Sequence, residues 1–253
     1  MTISGTDLLL EIARCPNVIK ILEGNKYHPC HEIVKSQEVK LIDDFQIPEP
    51  WNGNIETARL LYLSSNPSIS DNDEKELYPT WNWPEERIQD FFNHRFGGSK
   101  EQWVKNGKYA KKQEGLYMER HQPYWTEMMN RSEELYGREV VPGLDYAFTE
   151  IVHCKSKNNC GVKVACNECT GRYLQRVLEI SGASVIAVVG DKAKKGMSII
   201  LDRLEEQHFI QPQLIAGKER IILFLAAPNS NKPRKIEKVL PPAELSLVRS
   251  YLK

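Results

Sequence analysis

Four short apolar runs limit most strongly what this chain can fold into. They lie at 58–65, 146–153, 184–190 and 220–227, and they are rich in Val, Ile, Leu and aromatic residues. Continuous apolar runs of this length are typical of strands that are covered on both faces, as in a parallel sheet. Apolar residues recur at helical spacing in the intervening and following segments, at about 122–136, 167–181, 191–206 and 241–252.

Strands that alternate with helices predict an α/β fold. We expect three layers, α/β/α, around a central and mainly parallel sheet of four strands. The segment 66–145 is long for a crossover, so helices and loops are predicted there over one end of the sheet. Residues 1–57 are predicted to be an N-terminal extension that packs on the core, and residues 58–253 to form the α/β/α domain.

The chain is expected to be a cytoplasmic monomer without a membrane partner. Its first 15 residues lack the basic segment of a secretory signal, and no run approaches the ~20 apolar residues that span a bilayer. In a reducing compartment, the six cysteines are expected to be free thiols or metal ligands rather than disulfides.

The distribution of charge is more informative than its sum. The chain has 34 basic and 34 acidic side chains, and this balance does not by itself indicate a nucleic-acid partner. Basic side chains nevertheless follow three of the predicted strands: Lys155, Lys157, Lys163, Lys192, Lys194, Lys195, Lys232, Arg234 and Lys235. Because parallel strands end at one edge of a sheet, this placement predicts a basic edge that suits a phosphate backbone.

Five short motifs lie at or beside the ends of the predicted strands. Leu-Ser-Ser-Asn-Pro-Ser at 63–68 leaves the first strand, and Thr-Glu-Ile-Val-His-Cys-Lys at 149–155 forms the second. Cys-Thr-Gly-Arg-Tyr-Leu occupies 169–174, on a predicted helix. The third strand and its turn cover 185–193, and Ala-Pro-Asn-Ser-Asn at 227–231 follows the fourth.

In order, these motifs resemble those of the uracil-DNA glycosylase superfamily. The first is similar to the Gly-x-Asn-Pro-Gly motif of the mismatch-specific and single-strand-selective branches. The next three resemble the Thr-Asn-Val-Val-Lys-Cys, Cys-x-Pro-Tyr-Leu and Ile-Val-x-x-Gly-x-x-Ala segments of the iron–sulfur branch. The last resembles the Met-Pro-Ser-Ser-Ser motif of the thymine-DNA glycosylase branch. The resemblance implies a monofunctional DNA glycosylase, which hydrolyses the N-glycosidic bond of a flipped-out pyrimidine and leaves an abasic site.

The resemblance also implies roles for individual residues. Asn66, with Pro67 and Ser68, would hold the attacking water. Ser65 and Glu150 would face the base, and an aromatic side chain, Tyr78 or Trp81, would either stack on the base or fill the core. The residues implied for binding the DNA phosphates are Pro228, Asn229, Ser230, Asn231, Lys232, Arg234 and Lys192.

Several positions depart from the family pattern. Ser64 and Ser68 replace glycines, and Ala227 stands where several branches carry a histidine that assists the leaving base. Glu150 stands where the iron–sulfur branch has the Asn that reads uracil. An ionised carboxylate only accepts hydrogen bonds, so it would suit the N4 amine of a cytosine, whereas a protonated one would not discriminate in this way. Uracil is the default substrate, and a modified cytosine in phage DNA, as the target of a defence enzyme, is the alternative.

The cysteines leave three possibilities open. Cys154 and Cys169 match the positions of two cluster ligands in the iron–sulfur branch, and Cys15 and Cys30 are the N-terminal candidates for the other two, which implies a [4Fe–4S] cluster. The rival is a zinc site formed by Cys154, Cys160, Cys166 and Cys169. The third possibility is that the protein holds no metal. A catalytically silent module that recognises a base or DNA is the alternative to the enzyme.

Overall fold

The computed structural model describes residues 4–69, 76–201 and 209–253 of the chain. Its helices are α1 (Gly5–Ala13), α2 (Pro16–Leu22), α3 (His31–Lys35), a 3-10 turn (Ile42–Asp44), α4 (Glu85–Asn93), α5 (Pro123–Tyr136), α6 (Val162–Ile180), α7 (Gly190–Met197), α8 (Ile236–Val239) and α9 (Pro242–Tyr251). Its strands are β1 (Trp51–Asn52), β2 (Leu60–Ser64), β3 (Val104–Lys105), β4 (Tyr109–Ala110), β5 (Tyr146–Glu150), β6 (Val185–Val189), β7 (Phe209–Ile215) and β8 (Lys218–Leu225).

The α/β class is confirmed, but the central sheet is mixed and has six strands rather than the predicted four. The strand order is β1-β5-β2-β6-β8-β7. The pairs β5–β2, β2–β6 and β6–β8 are parallel, whereas β1 and β7 add to the two sides in antiparallel orientation. A further pair, β3–β4, forms a separate two-stranded ribbon.

The sequence did not predict the two antiparallel edge strands, and there is a physical reason in each case. β1 is only two residues long and lies inside the predicted extension. β7 contains Pro212, which cannot donate a ladder hydrogen bond and is tolerated at an edge. A tight turn at Ala216 and Gly217, both with positive φ, joins β7 to β8. The predicted helix 191–206 ends at Met197, and its last residues, 202–206, lie outside the described part.

Helices α5 and α7 pack against the sheet. The Tyr62 hydroxyl of β2 donates to the Met128 carbonyl of α5 at 3.1 Å, and its ring stacks on Phe148 of β5 with centroids 5.6 Å apart. Ile151, directly after β5, packs against Gly196 of α7, where a Cβ would approach the isoleucine side chain to 2.7 Å. The glycine therefore lets α7 lie close to the sheet.

The predicted extension shares the core of the domain. β1 pairs with β5, and α1 contacts α4 and α6. Leu8 and Ile12 of α1 belong to the same buried cluster as the central strands. Among the described residues, no helix has the length and apolar character needed to cross a membrane.

Candidate functional site

A cleft of about 490 Å³ opens at the carboxyl edge of the parallel strands. Seven of the residues predicted from the sequence line it: Ser65, Asn66, Pro67, Ser68, Glu150, Pro228 and Asn229. They follow β2, end β5 and follow β8, and the parallel register brings these ends together. The remaining lining residues are Glu49, Asn52, Ser64, Glu76, Arg95, Gln122, Pro123, Tyr124, Trp125, Phe148, Lys155, Val189 and Ala227.

Backbone hydrogen bonds fix the loop that carries Asn66. Beyond the ends of β2 and β5, Val152 N–H donates to the Ser65 carbonyl at 3.0 Å, and Ser156 N–H donates to the Pro67 carbonyl at 3.2 Å. Ile69 N–H then donates to the Ser156 carbonyl at 3.0 Å. The parallel pairing thus continues past the strands, and the loop is held along its length.

The Asn66 side chain is oriented by its amide nitrogen. Nδ2 donates to the Pro67 carbonyl at 2.9 Å and to Ser156 Oγ at 3.0 Å. The amide oxygen Oδ1 accepts one bond, from Ser65 Oγ at 3.3 Å. Since an amide oxygen has two lone pairs, Oδ1 keeps the capacity to accept a hydrogen bond from a water in the cleft.

Glu150 is a buried acid at the wall of the cleft. The residue is only 6% exposed, and its Oε2 has no hydrogen-bond partner among the described residues. Burial raises the pKa of this carboxyl well above its ordinary value of 4.5, and the neighbouring charge of Glu49 raises it further. The protonated form is therefore favoured, which both donates and accepts, as the amide of an asparagine does.

Three aromatic side chains line the cleft, and they are not the predicted ones. Tyr124 and Trp125 come from the first turn of α5, and Phe148 comes from β5. Tyr124 and Ser64 share a short hydrogen bond between their hydroxyl groups. The sequence did contain a signal for Tyr124 and Trp125, because both stand at the beginning of the amphipathic helix that was predicted at 122–136.

Tyr78 and Trp81, which were expected to contact the base, do not line the cleft. Tyr78 is 4% exposed, and its hydroxyl donates to Glu49 Oε2 at 3.2 Å. The centroid of the Trp81 ring lies 6.5 Å from that of Phe45 and 5.2 Å from the Arg14 guanidinium carbon. Tyr78 fills the interior and Trp81 packs partly buried against it, which was the other possibility that the sequence left open.

A buried ionic network forms the wall next to Tyr78, and no local sequence pattern predicted it. Arg95 Nη1 donates to Glu49 Oε2 at 3.0 Å and to Asn52 Oδ1 at 2.7 Å, and Nη2 forms an ion pair with Glu76. Asn52 Nδ2 donates to Glu49 Oε1 at 2.5 Å. Burial opposes the charge of the guanidinium, but the carboxylates of Glu76 and Glu49 outweigh it and raise the pKa of Arg95. This residue therefore stays charged although it is buried.

The loop after β8 reaches from the cleft to the surface. Arg131 of α5 holds its start, because Nη1 donates to the Ala226 carbonyl at 2.8 Å. Pro228 and Asn229 line the cleft, and the Ser230 hydroxyl is buried without a partner among the described residues. The remaining residues predicted to bind phosphate are exposed and lie outside the cleft lining: Asn231, Lys232, Arg234 and Lys192. Lys232 lies 3.7 Å from Asp191 of α7.

A second, smaller cavity brings together the four cysteines predicted to hold a cluster. Cys15, Cys30, Cys154 and Cys169 all line this space of about 20 Å³, and all four are buried. They come from the start of α2, the start of α3, the loop after β5 and the middle of α6. Burial raises the pKa of the Cys30 thiol to about 12, and the neighbouring thiol of Cys15 adds to the effect. Burial likewise raises the pKa values of Cys154 and Cys169.

The four cysteines of the alternative zinc set, Cys154, Cys160, Cys166 and Cys169, differ in exposure. Cys160 is exposed, and Cys166 is half-buried, with its sulfur 3.8 Å from Thr170 Oγ1. Neither lines the cysteine cavity. Within 4–69, 76–201 and 209–253, no group of three or more His, Cys, Asp or Glu side chains is arranged to hold a metal ion, and this applies to both sets of cysteines. All six cysteines are free thiols.

A search against models of protein families finds no match to this chain, and a search of curated proteins finds none either.

Proposed function

We propose that the protein is a monofunctional DNA glycosylase that hydrolyses the N-glycosidic bond of a flipped-out uracil or modified pyrimidine. The observation that carries this proposal is the pairing of two groups in one cleft. The anchored amide of Asn66 presents its oxygen, and the buried carboxyl of Glu150 presents an unpartnered oxygen. Cleavage of such a bond requires a held water at the sugar and polar groups that read the base.

The arrangement of the helices supports the architecture that the family resemblance implies. α5 contacts the face of the sheet that carries Tyr62, and α7 contacts Ile151, the residue that follows Glu150. In this proposal the chain is a three-layer α/β/α domain with two added edge strands. The cleft lies where such sheets bind ligands, outside the carboxyl ends of their strands.

In the proposed reaction, the water is held by Asn66 Oδ1 and adds its oxygen to C1′ of the deoxyribose. The bond between C1′ and the base nitrogen breaks, and its electron pair leaves with the base. Since Asn66 Nδ2 is bound to Ser156 and Pro67, the oxygen of the amide is the end that faces the reactants. Phe148, Tyr124 and Trp125 would enclose the base from the sides.

The identity of the base depends on Glu150. In its protonated form the carboxyl can pair with uracil, by donating to O4 and accepting from N3–H, or with cytosine, by donating to N3 and accepting from N4–H. The cleft, at about 490 Å³, falls in the range of sites that hold drug-sized ligands, so it has room for a substituent on the base. We therefore propose two substrates, uracil and a modified cytosine in phage DNA. If the substrate is the modified cytosine, the proposed role is defence against phage.

We propose that the four cysteines of the second cavity are the ligands of the iron–sulfur cluster that the family resemblance implies. Four buried thiols from four separate segments, with no disulfide between them, are the donor set that such clusters use. A bound cluster would take up the four sulfurs as deprotonated thiolate ligands. Its role would be structural, because Cys15 and Cys30 would be tied to the loop after β5 and to α6.

A panel of duplexes tests the proposed function. Duplexes that carry uracil, mismatched thymine or a modified cytosine are incubated with the protein, and alkali then cleaves the abasic sites. Cleavage of at least one of them by the wild type, and much slower cleavage by Asn66→Ala, is the expected result. Tight binding to one duplex without release of any base would show a silent recognition module instead.

A further inference from the structure

Lys155 is buried in the wall of the cleft, and its ammonium group has no hydrogen-bond acceptor among the described residues. The residue is 5% exposed, and it lines the cleft beside Glu49, Glu76 and Arg95. Its Nζ lies 3.6 Å from the centroid of the Tyr78 ring. Burial lowers the pKa of the ammonium group, and the carboxylates of Glu76 and Glu49 act in the opposite direction. An ammonium group has three donors, yet no described residue accepts a hydrogen bond from Nζ or forms an ion pair with it.

The other charges of this wall are already satisfied by one another. Arg95 is bound to Glu49, Glu76 and Asn52, and the two oxygens of Glu49 accept from Asn52, Arg95 and Tyr78. Of the two cations that line the cleft in the described structure, Arg95 uses both of its terminal nitrogens in this network and keeps only a buried Nε without a partner, whereas Lys155 keeps all of its donors for a ligand. The Nζ atom is not one of the fully buried polar atoms without a partner, so it borders the open space of the cleft, where it can donate to a ligand.

The position of Lys155 indicates which part of a ligand it would meet. Its neighbour in the chain, Ser156, is the residue that binds the Asn66 amide. Phosphate groups of DNA lie at the protein surface, whereas Lys155 is almost completely buried. The group within its reach is therefore the extruded base, near the bond that breaks.

We propose that Lys155 is a catalytic residue, whose Nζ donates a hydrogen bond to a carbonyl oxygen of the departing pyrimidine. This inference rests on the glycosylase function proposed above. When C1′–N1 breaks, the electron pair goes to the base and spreads onto its oxygens. The positive charge of Lys155 stabilises that oxygen, while the proton of the attacking water goes to solvent and the lysine keeps its own protons. Lys155 would thereby supply the assistance that Ala227, in place of a histidine, cannot give.

The test compares how much each substitution slows the excision of a poor leaving base and of a good one. Single-turnover excision is measured for wild type, Lys155→Met, Lys155→Arg and Lys105→Met, on the base that the panel shows to be excised fastest and on 5-fluorouracil, whose anion is more stable. Lys105→Met is the matched control, because Lys105 also lies over a tyrosine ring, that of Tyr117 at 5.8 Å, but outside the cleft. Thermal unfolding and iron content are compared for all four proteins, since Lys155 adjoins Cys154.

Lys155→Met is expected to slow excision of the poorer leaving base by about 10²-fold, the scale of losing one stabilising donor, and to slow 5-fluorouracil excision much less. Lys155→Arg should recover part of the rate, and Lys105→Met should match the wild type. Equal slowing on both bases, or no slowing, would overturn the role of Lys155 while leaving the glycosylase intact. A borohydride-trapped adduct with abasic DNA that requires Lys155 would also overturn it, because the amine would then be a nucleophile. A wild type that releases no base from any duplex would overturn both proposals.

Discussion

The amide nitrogen of Asn66 and the hydroxyl oxygen of Ser156 are 3.0 Å apart and form a hydrogen bond between two loops of the sheet edge. One loop follows β2 and the other follows β5, so this bond joins the ends of two neighbouring parallel strands. It occupies Nδ2 of the amide, so in the proposed reaction Oδ1 is the atom that accepts from the water. Ser156 is completely buried, and its backbone also holds the Asn66 loop through Pro67 and Ile69.

Two substitutions test this arrangement. Asn66→Ala should leave DNA binding largely intact and slow excision by about 10²-fold or more, since the water loses its acceptor. Ser156→Ala should slow excision by about 10-fold, because Asn66 remains but can turn. Single-turnover rates and duplex affinities measure both effects. Ser250→Ala, an exposed serine of α9, is the control. Unchanged excision by Asn66→Ala would exclude its role in catalysis.

The raised pKa of Glu150 predicts a pH-dependent cost to stability. Between about 4.5, its ordinary value, and its raised folded value, the native protein retains a proton that the unfolded chain has lost. The free energy of unfolding should therefore fall as the pH rises through this window. Glu150→Gln removes the titrating group, so its stability relative to the wild type should increase with pH.

Urea unfolding from about pH 5 to about pH 8 measures this difference for Glu150→Gln. The control is Glu139→Gln, which replaces an exposed glutamate in the connection after α5. Its difference from wild type should stay constant. A difference for Glu150→Gln that is also constant with pH would mean that the carboxyl is not held in its neutral form.

Glu150 is also predicted to influence the choice of base. The ionised form of Glu150 only accepts hydrogen bonds, and its share grows as the pH rises toward the raised pKa of this carboxyl. We therefore expect the preference for a modified cytosine over uracil to grow with pH, and Glu150→Gln or Glu150→Asn to remove that growth. An amide cannot lose its proton, so both variants present one fixed donor and one acceptor to the base. Competition assays with equal amounts of the two duplexes give the ratio directly. Robust uracil excision with no modified cytosine cut would show that Glu150 does not select the base in this way.

The iron–sulfur cluster proposed for the cysteine cavity can be tested with the chain's own six cysteines. Anaerobically purified protein should be brown and contain iron, as thiolate-bound clusters are. Serine at Cys15, Cys30, Cys154 or Cys169 should remove the colour, because each lines the cavity. Serine at Cys160 or Cys166 should retain it, because neither does. Iron and zinc analysis of the six variants measures this.

The metal content of the variants distinguishes the three possibilities for the cysteines. Colourless protein with stoichiometric zinc would support a zinc site, and the variants that lose zinc would identify its ligands. If neither metal is present, both metal assignments are wrong. The four thiols would then be a buried cluster of small apolar side chains.

The exposed end of the loop after β8 is predicted to contact phosphates. The double substitution Lys232→Ala with Arg234→Ala should weaken binding to duplex DNA and reduce the slope of log affinity against log salt by about 0.9 for each phosphate that is no longer neutralised. Excision at saturating protein should change little, since neither side chain lines the cleft. Lys26→Ala, an exposed lysine after α2, is the control. An unchanged salt slope would place the DNA elsewhere.

The central strands and the seven predicted residues that line the cleft could be predicted because their signals are local. A continuous apolar run identified each parallel strand, and parallel topology then required residues after β2, β5 and β8 to meet. The cysteine set was implied by the family resemblance. The gathering of Cys15 and Cys30 with Cys154 and Cys169 in one cavity agrees with it.

The polar wall of the cleft could not be predicted in the same way. Glu49 and Arg95 are separated by tens of residues, and each alone resembles an ordinary surface charge. Lys155 was predicted to belong to a basic edge that meets phosphates, and the structure buries it instead. Only the packing of the extension against α4 and β5 buries them together. The aromatic residues show the same difficulty. Tyr124 lines the cleft and Tyr78 does not, and the residues around each tyrosine in the sequence do not indicate this difference.

Strand β7 affects how readily two copies of the protein could pair through the edges of their sheets. It is the last strand on its side of the sheet, and its ladder with β8 shifts register between Ile210 and Gln213. Pro212 offers no N–H, so a second copy that approached this edge would find an interrupted row of donors. Edge-to-edge polymerisation is thereby discouraged, although Leu214 is exposed beside it. The same proline that made the strand hard to predict therefore interrupts the hydrogen-bonding edge that this side of the sheet offers to a second copy.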